Sequence, residues 1–152
     1  MKGAYILIMR IEQPVRVQIK SLGNMGFESG EWIYVGSAMG GGSTSIENRL
    51  KRHFRKEKTI YWHIDYLLDA GAEILEAIWV KSKKSIECDL VQAIDSYGDF
   101  IAGPKGFGSS DCRMRCFTHT YFYQGIEDMK YVIIQILQGL GFHPQITQDG
   151  QI

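Results

Sequence analysis

The chain has 152 residues, 45% of them hydrophobic, which fits one domain with a sizeable core that needs no disulfide support. Its 17 basic and 17 acidic side chains cancel, so no global field draws the protein to nucleic acid or to a membrane. The three cysteines, an odd number, and an N-terminal apolar run too short to span a bilayer predict a cytoplasmic protein without a membrane partner.

The N-terminal part of the chain predicts strands. Residues 4–11 are apolar and rich in β-branched side chains, residues 15–19 alternate apolar with polar side chains, and residues 31–38 form a further apolar run. The connections are short, so these segments are predicted to form a three-stranded antiparallel meander. Three glycines and an asparagine predict a loop over residues 22–30.

A glycine-rich loop over residues 39–43 leads into a predicted helix over residues 45–56. Thr44 and Glu47 fit a capping box, in which each side chain bonds the backbone N–H of the other residue. Residues 61–69 are predicted to form a helical turn and residues 72–80 a strand. Ser82 or Ser85 is then predicted to cap a helix that ends near Tyr97.

The C-terminal part predicts a glycine-rich loop over residues 98–110, with a short strand within it as an alternative, then a strand over 117–123 and a helix over 126–140. The apolar residues of this last helix exceed one narrow stripe, which favours deep burial, with a homodimer contact as the alternative. Overall the pattern predicts an α+β fold, with a small central, mainly antiparallel sheet flanked by helices. One domain is expected over residues 1–142, followed by a polar tail over 143–152.

A cluster of basic residues lies on the helix after the glycine-rich loop. Arg49 and His53 are four residues apart, so both project from one face of that helix. Between residues 49 and 58 only Glu57 is acidic, and the basic side chains are Arg49, Lys51, Arg52, Arg55, Lys56 and Lys58. Such a face can bind a phosphate backbone, and a solvated helix surface is the plainer alternative.

The chain carries the triplets Gly3-Ala4-Tyr5 and Tyr34-Val35-Gly36 on predicted strands, followed by Arg49, His53 and Glu87 on predicted helices. Together these positions resemble the motifs of the GIY-YIG nuclease superfamily. More narrowly, YVGSA, RLKRH, YWHIDYLL and GFGSSDC resemble a divergent, largely archaeal branch of uncharacterised endonuclease-like proteins, the DUF123 group. That resemblance covers residues 3–123. Some members of the branch are fused to an endonuclease III-like glycosylase, which implies a functional link to base excision.

The resemblance implies metal-assisted hydrolysis of a phosphodiester. Tyr5 or Tyr34 would position or deprotonate the attacking water, as a phenolate stabilised by nearby cations. Arg49 would hold the phosphate, and His53 would donate to the leaving oxygen or orient the water. Glu87 would ligate one Mg²⁺ or Mn²⁺. The plainer alternatives are core tyrosines, a solvated basic helix and a glutamate favoured by the helix dipole.

Further polar residues are weaker site candidates. The residues Cys88, Cys112, Cys116 and His119 have side chains of the types that bind zinc, but their spacing is loose, and buried structural residues are the favoured explanation. Asp111 joins these candidates. His63 and Asp65 would share a face if their segment is extended and diverge if it is helical.

Three functions follow from these patterns. The first is a single-domain, metal-dependent endonuclease acting on DNA, with RNA left open as a substrate. The second is a nucleic-acid-binding module that uses Lys51, Arg52, Arg55, Lys56 and Lys58 without cleavage. The third is an inactive relative that carries a zinc-stabilised loop.

Overall fold

The computed structural model describes residues 1–110, 112 and 114–152. Its strands are β1 (Gly3–Ile11), β2 (Val15–Ile19), β3 (Gly23–Phe27), β4 (Gly30–Ala38), β5 (Glu73–Lys81), β6 (Phe100–Ala102), β7 (Thr120–Tyr123) and β8 (Gln145–Thr147). Its α-helices are α1 (Ile46–Phe54), α2 (His63–Asp69), α3 (Glu87–Asp95) and α4 (Met129–Gly139).

The main sheet has the strand order β6-β7-β4-β1-β5-β8, and every neighbouring pair is antiparallel. This confirms the predicted α+β fold with a mainly antiparallel central sheet. The predicted meander is wrong in its pairing, because β1 pairs directly with β4 while β2 pairs with β3 in a separate hairpin. The hairpin is therefore an insertion between the two central strands.

Strand β3 lies inside the segment that was predicted to be a loop. Met25 and Phe27 are buried while Asn24 and Gly26 are exposed, which is the period of two that a half-buried strand requires. Gly23 has a φ of +84°, a left-handed conformation that lets the chain turn back from β2. The glycines therefore serve the hairpin and do not break it.

Alternation along β1 divides the core between the two faces of the sheet. Ala4, Ile6 and Ile8 pack in one cluster with buried residues of α3 and α4. Tyr5, Leu7, Met9 and Ile11 lie on the opposite face and pack in the other cluster with α1, α2 and the hairpin. Deep burial of the last helix is found only in part, because α4 buries Val132, Ile133 and Leu137 while Leu140 just beyond its end is 44% exposed. Within the described residues, no helix has the length and apolarity needed to cross a membrane.

Three local predictions differ from the structure. Ser45, not Thr44, caps α1, since its hydroxyl accepts from the backbone N–H of Asn48, and Glu47 instead accepts a hydrogen bond from the Met1 ammonium. Neither predicted serine caps α3, whose N-cap position is occupied by Ile86. The segment from residue 143 was predicted to be a polar tail, but it adds the edge strand β8, whose residues pair with β5.

Candidate functional site

Strand β1 and helix α1 bring Tyr5 and His53 together. Ile46 and Leu50 are fully buried on α1, and they seat this helix on the Tyr5 face of the sheet. The Tyr5 hydroxyl lies 2.8 Å from Nε2 of His53, and the two ring centroids are 5.3 Å apart. Each residue is only 2% exposed. The first tyrosine and the helix histidine of the resemblance therefore form one buried hydrogen-bonded pair.

Gly36 makes room for the Tyr5 ring. The two residues are paired across β1 and β4. A Cβ atom at position 36 would lie 2.5 Å from both Cζ and the hydroxyl oxygen of Tyr5, far inside van der Waals contact. The glycine of the second triplet thus permits the position of the tyrosine in the first triplet.

Tyr34 stands on the same face, two residues before Gly36. Its ring makes an edge-on contact with His53, at 6.5 Å between centroids, and with Phe107, at 6.3 Å. Gly108 packs closely on this ring, because a Cβ there would lie 2.7 Å from Cε1 of Tyr34. Both tyrosine rings therefore contact the ring of His53.

Arg49 projects from α1 one helical turn before His53. Its Nη1 donates to the carbonyl oxygen of Ser37 near the end of β4, and its guanidinium carbon lies 5.0 Å from the centre of the Trp62 ring. Its Nε is buried and has no hydrogen-bond partner among the described residues. A bound anion could accept a hydrogen bond from this donor.

Glu87 begins α3, in the first turn as predicted. Its side chain is 25% exposed, and Oε2 lies 3.8 Å from Nδ1 of His119. Burial raises the pKa of Glu87, and the nearby charge of Arg49 opposes that rise. The Glu87 charge also contributes to raising the pKa of Tyr5 and of Tyr34, so all four groups share one electrostatic environment.

The protonation states follow from burial. Burial raises the pKa of Tyr5 well above its usual 10, although Arg49 acts in the opposite direction, and burial likewise raises the pKa of Tyr34. Burial lowers the pKa of His53 to about 3. At neutral pH the pair is therefore a phenol and a neutral imidazole. Arg49 alone does not stabilise the phenolate that was predicted from the sequence.

The carboxylate of Glu87 fits a magnesium or manganese ion. These ions prefer oxygen ligands and commonly retain several waters, so one or two protein carboxylates suffice. Glu87 combines partial exposure with a desolvated carboxylate, whose charged form a cation would stabilise. Glu87 is therefore the residue near Tyr5, Tyr34 and Arg49 that could hold such an ion.

The predicted nucleic-acid-binding residues separate into two groups. Arg52 makes two 2.9 Å hydrogen bonds to the buried carboxylate of Asp65, and Lys58 donates to the His53 carbonyl at 3.1 Å. These two cations therefore stabilise the ends of the helices. The side chains that remain exposed are Lys51, Arg55 and Lys56.

Helix α2 supports the site. His63 and Asp65 diverge, as expected for a helical segment: His63 Nδ1 accepts from the Gly108 N–H at 2.9 Å, and Asp65 accepts from the N–H groups of Tyr61 and Trp62. Trp62 is partly buried against the core, and its ring also contacts the guanidinium groups of Arg49 and Arg52 and the His53 ring. Sequence reasoning did not identify this contact, because its only signal was a tryptophan close to a basic helix.

A second cluster adjoins Glu87. Ligand atoms of Cys88, Cys112, Cys116 and His119 all lie within 4.8 Å of one another, so this group could bind a metal ion. The cysteines are partly exposed, not buried as favoured from the sequence. His119 is 1% exposed, and burial lowers its pKa to about 4. Asp111, predicted to join this group, lies outside the described residues.

Comparison with known proteins identifies a family for this chain. Neither the curated proteins nor the solved structures contain a match to it. The sequence matches the family described as "Domain of unknown function DUF123" over residues 4–142, which includes both clusters. The chain therefore belongs to the DUF123 family.

Proposed function

We propose that this protein is a metal-dependent endonuclease of the GIY-YIG type that hydrolyses phosphodiester bonds in DNA. One observation carries the proposal: the Tyr5 hydroxyl is hydrogen-bonded to His53 at 2.8 Å beside an arginine with an unpartnered buried donor. Glu87 completes the group with a carboxylate whose charge reaches both tyrosines. Phosphodiester hydrolysis requires these components: a proton acceptor, an anion-binding donor and a ligand for a divalent ion.

Arg49 binds the scissile phosphate in this proposal. Its guanidinium is held by the Ser37 carbonyl and by the Trp62 ring, so little conformational freedom is lost on binding. The unpartnered Nε gains a hydrogen bond when a phosphate oxygen arrives. The same positive charge then stabilises the extra negative charge of the five-coordinate phosphorus.

Tyr5 and His53 move the proton of the attacking water. Tyr5 accepts a proton from water while its own phenolic proton passes to the neutral His53, whose Nε2 is 2.8 Å away. Water thereby becomes the attacking hydroxide, and no isolated phenolate forms. The negative charge of the bound phosphate stabilises the imidazolium that results, which burial alone disfavours.

Glu87 holds the divalent ion. When bound, Mg²⁺ or Mn²⁺ supplies Lewis-acid stabilisation of charge on the phosphate oxygens. The position of Glu87 in the first turn of α3 fixes its backbone, and its partial exposure leaves one edge open to solvent and substrate.

DNA is the proposed substrate because the exposed cations Lys51, Arg55 and Lys56 follow Arg49 along the same segment. They would bind phosphates that flank the cleaved bond. RNA carries the same backbone charge, so it is the second substrate to test. A cytoplasmic location and a functional partnership with a base-excision glycosylase belong to this proposal.

A cleavage assay tests the proposal. Supercoiled plasmid and labelled flap, fork and single-stranded oligonucleotides are incubated with the protein in Mg²⁺, Mn²⁺ or EDTA. We expect nicking or cutting of at least one substrate in either metal and none in EDTA. Absence of cleavage on every substrate in both metals would contradict the proposal.

A second candidate is a nucleic-acid-binding module without catalysis. The observation in its favour is that Tyr5 and His53 are each only 2% exposed, whereas Lys51, Arg55 and Lys56 are open to solvent. Salt-sensitive binding of DNA without cleavage would support this alternative.

A further inference from the structure

The cysteine–histidine cluster joins two parts of the fold that carry the candidate site. Cys88 follows Glu87 in the first turn of α3. The backbone of His119 is anchored beside β4, since its carbonyl accepts from the Val35 N–H and its own N–H donates to Phe107, each at 2.9 Å. Cys112 and Cys116 bring two more sulfurs to the same point.

His119 shows that the cluster is incomplete as a purely protein structure. It is 1% exposed, yet neither ring nitrogen has a hydrogen-bond partner among the described residues. Its Nδ1 is 3.8 Å from the Glu87 carboxylate, beyond hydrogen-bond reach. A buried imidazole without partners costs free energy, which a metal ion bound to one nitrogen would recover.

We propose that Cys88, Cys112, Cys116 and His119 bind one structural Zn²⁺ ion. Three thiolates and an imidazole form a closed tetrahedral set of the kind that structural zinc sites use. Zinc bonds of about 2.3 Å to sulfur and 2.0 Å to nitrogen place such donors roughly 3.5–3.8 Å apart. The four ligand atoms here already lie within 4.8 Å of one another.

Zinc explains this cluster better than a disulfide does. The Cys88 and Cys112 sulfurs are 2.9 Å apart, which lies between the roughly 2.05 Å of a disulfide bond and the roughly 3.8 Å of two sulfurs on one tetrahedral zinc ion. The other two side chains favour zinc, because a disulfide would leave Cys116 and the unpartnered His119 without a role. Zinc uses all four side chains, and soft thiolate ligands favour it over the magnesium proposed at Glu87.

The ion would act as a positioning element for the neighbouring site. It would connect the first turn of α3, which includes Glu87, to the segment that runs beside β4. That segment leads directly into Thr120, which pairs with Tyr34. Zinc binding itself does not depend on the nuclease proposal. The two proposals can therefore fail separately.

The test begins with metal analysis of the full chain, purified in reducing buffer without chelator. We expect one zinc per chain, and X-ray absorption showing three sulfur ligands and one nitrogen ligand. Cobalt substitution of the wild-type protein should give the visible bands of tetrahedral thiolate coordination. These wild-type measurements keep the proposal testable if a ligand variant fails to fold.

Variants separate ligands from bystanders. Loss of a residue that only supports a metal ligand weakens metal binding by roughly 10–100-fold. Cys116→Ser removes a ligand itself, so it should weaken zinc binding by more than that. Met114→Ala, an exposed sulfur-bearing residue close to the cluster in sequence, and Glu87→Gln should both retain one zinc. Any of three results would overturn the proposal. The wild-type protein could fail to bind zinc when zinc is added, or it could contain a Cys88–Cys112 disulfide when isolated without oxygen. The third such result is a Cys116→Ser variant that binds zinc with the wild-type affinity.

Discussion

The bond between Tyr5 and His53 is the contact on which the proposed proton path depends. Replacing Tyr5 with phenylalanine removes the hydroxyl and leaves Nε2 of a buried histidine without its partner. We predict that Tyr5→Phe lowers the free energy of unfolding by about 1–3 kcal/mol. We also predict that it removes cleavage activity. Urea unfolding measures the change in stability, and plasmid nicking measures the change in activity.

Tyr121 offers a matched control for that variant. It is a buried sheet tyrosine whose hydroxyl donates to Asp95 at 2.8 Å, and it packs in the other core cluster. Tyr121→Phe should cost a similar stability and retain cleavage. If Tyr5→Phe cut DNA at the wild-type rate, Tyr5 would have no part in the chemistry.

Burial of His53 makes stability depend on pH. Its pKa falls from the usual 6.5 to about 3 on folding. Between those values the unfolded chain binds a proton that the folded protein does not, so stability rises with pH and is lost as pH falls. The loss approaches about 1.4 kcal/mol per pH unit within this window.

Urea unfolding at pH 7 and pH 4.5 measures this effect in wild type and in His53→Gln. The wild-type protein should lose more stability on acidification than the variant does. Burial also lowers the pKa of His119, but this histidine is present in both proteins, so its effect cancels in the comparison. Equal losses in the two proteins would show that His53 is protonated normally.

At the scale of elements, the pairing of β1 with β4 is what places Tyr5. A methyl group at position 36 would meet the Tyr5 ring at 2.5 Å. We predict that Gly36→Ala destabilises the protein by about 1–3 kcal/mol, through overpacking, and disrupts cleavage by displacing Tyr5. Thermal unfolding and nicking assays measure both effects.

Gly98→Ala is the matched control for this change. A Cβ at position 98 meets no atom within 4 Å, so the same substitution there should leave stability and cleavage close to wild type. An active Gly36→Ala protein with an unchanged melting temperature would show that the Tyr5 ring tolerates displacement.

The helices and central strands were predictable because their signals are local. Apolar runs indicated β1 and β4, and the spacing of Arg49 and His53 gave the shared face of α1. Strands β3 and β8 were missed because glycines and polar residues mask short strands whose stability comes from their pairing partners. Strand pairing is non-local, which is why the meander was predicted instead of an inserted hairpin.

At the scale of the whole molecule, the charges cancel, so binding to nucleic acid must come from local surface. We predict that the triple variant Lys51→Ala, Arg55→Ala, Lys56→Ala weakens DNA binding and reduces the salt-dependence slope by about 2–3. Binding isotherms at several salt concentrations measure this slope. Lys130→Ala, on α4 and paired with Glu76, should leave it unchanged, and an unaltered slope in the triple variant would exclude this face.

The candidate site could be predicted from the sequence only as a set of residues. The resemblance supplied Tyr5, Tyr34, Arg49, His53 and Glu87, which the fold brings together from four separate elements. Burial changed the expected chemistry, since it disfavours the phenolate. The internal pairing of Arg52 and the convergence of the cysteines also depend on tertiary packing, which spacing along the chain does not reveal.

The most direct measurement compares Glu87→Gln with wild type for both DNA binding and metal-dependent cleavage. This substitution keeps the shape of the side chain and removes the charge proposed to hold the divalent ion. The account predicts that binding affinity is retained and cleavage in Mg²⁺ or Mn²⁺ falls to the level seen in EDTA. Cleavage by Glu87→Gln at the wild-type rate would contradict the proposed role of Glu87.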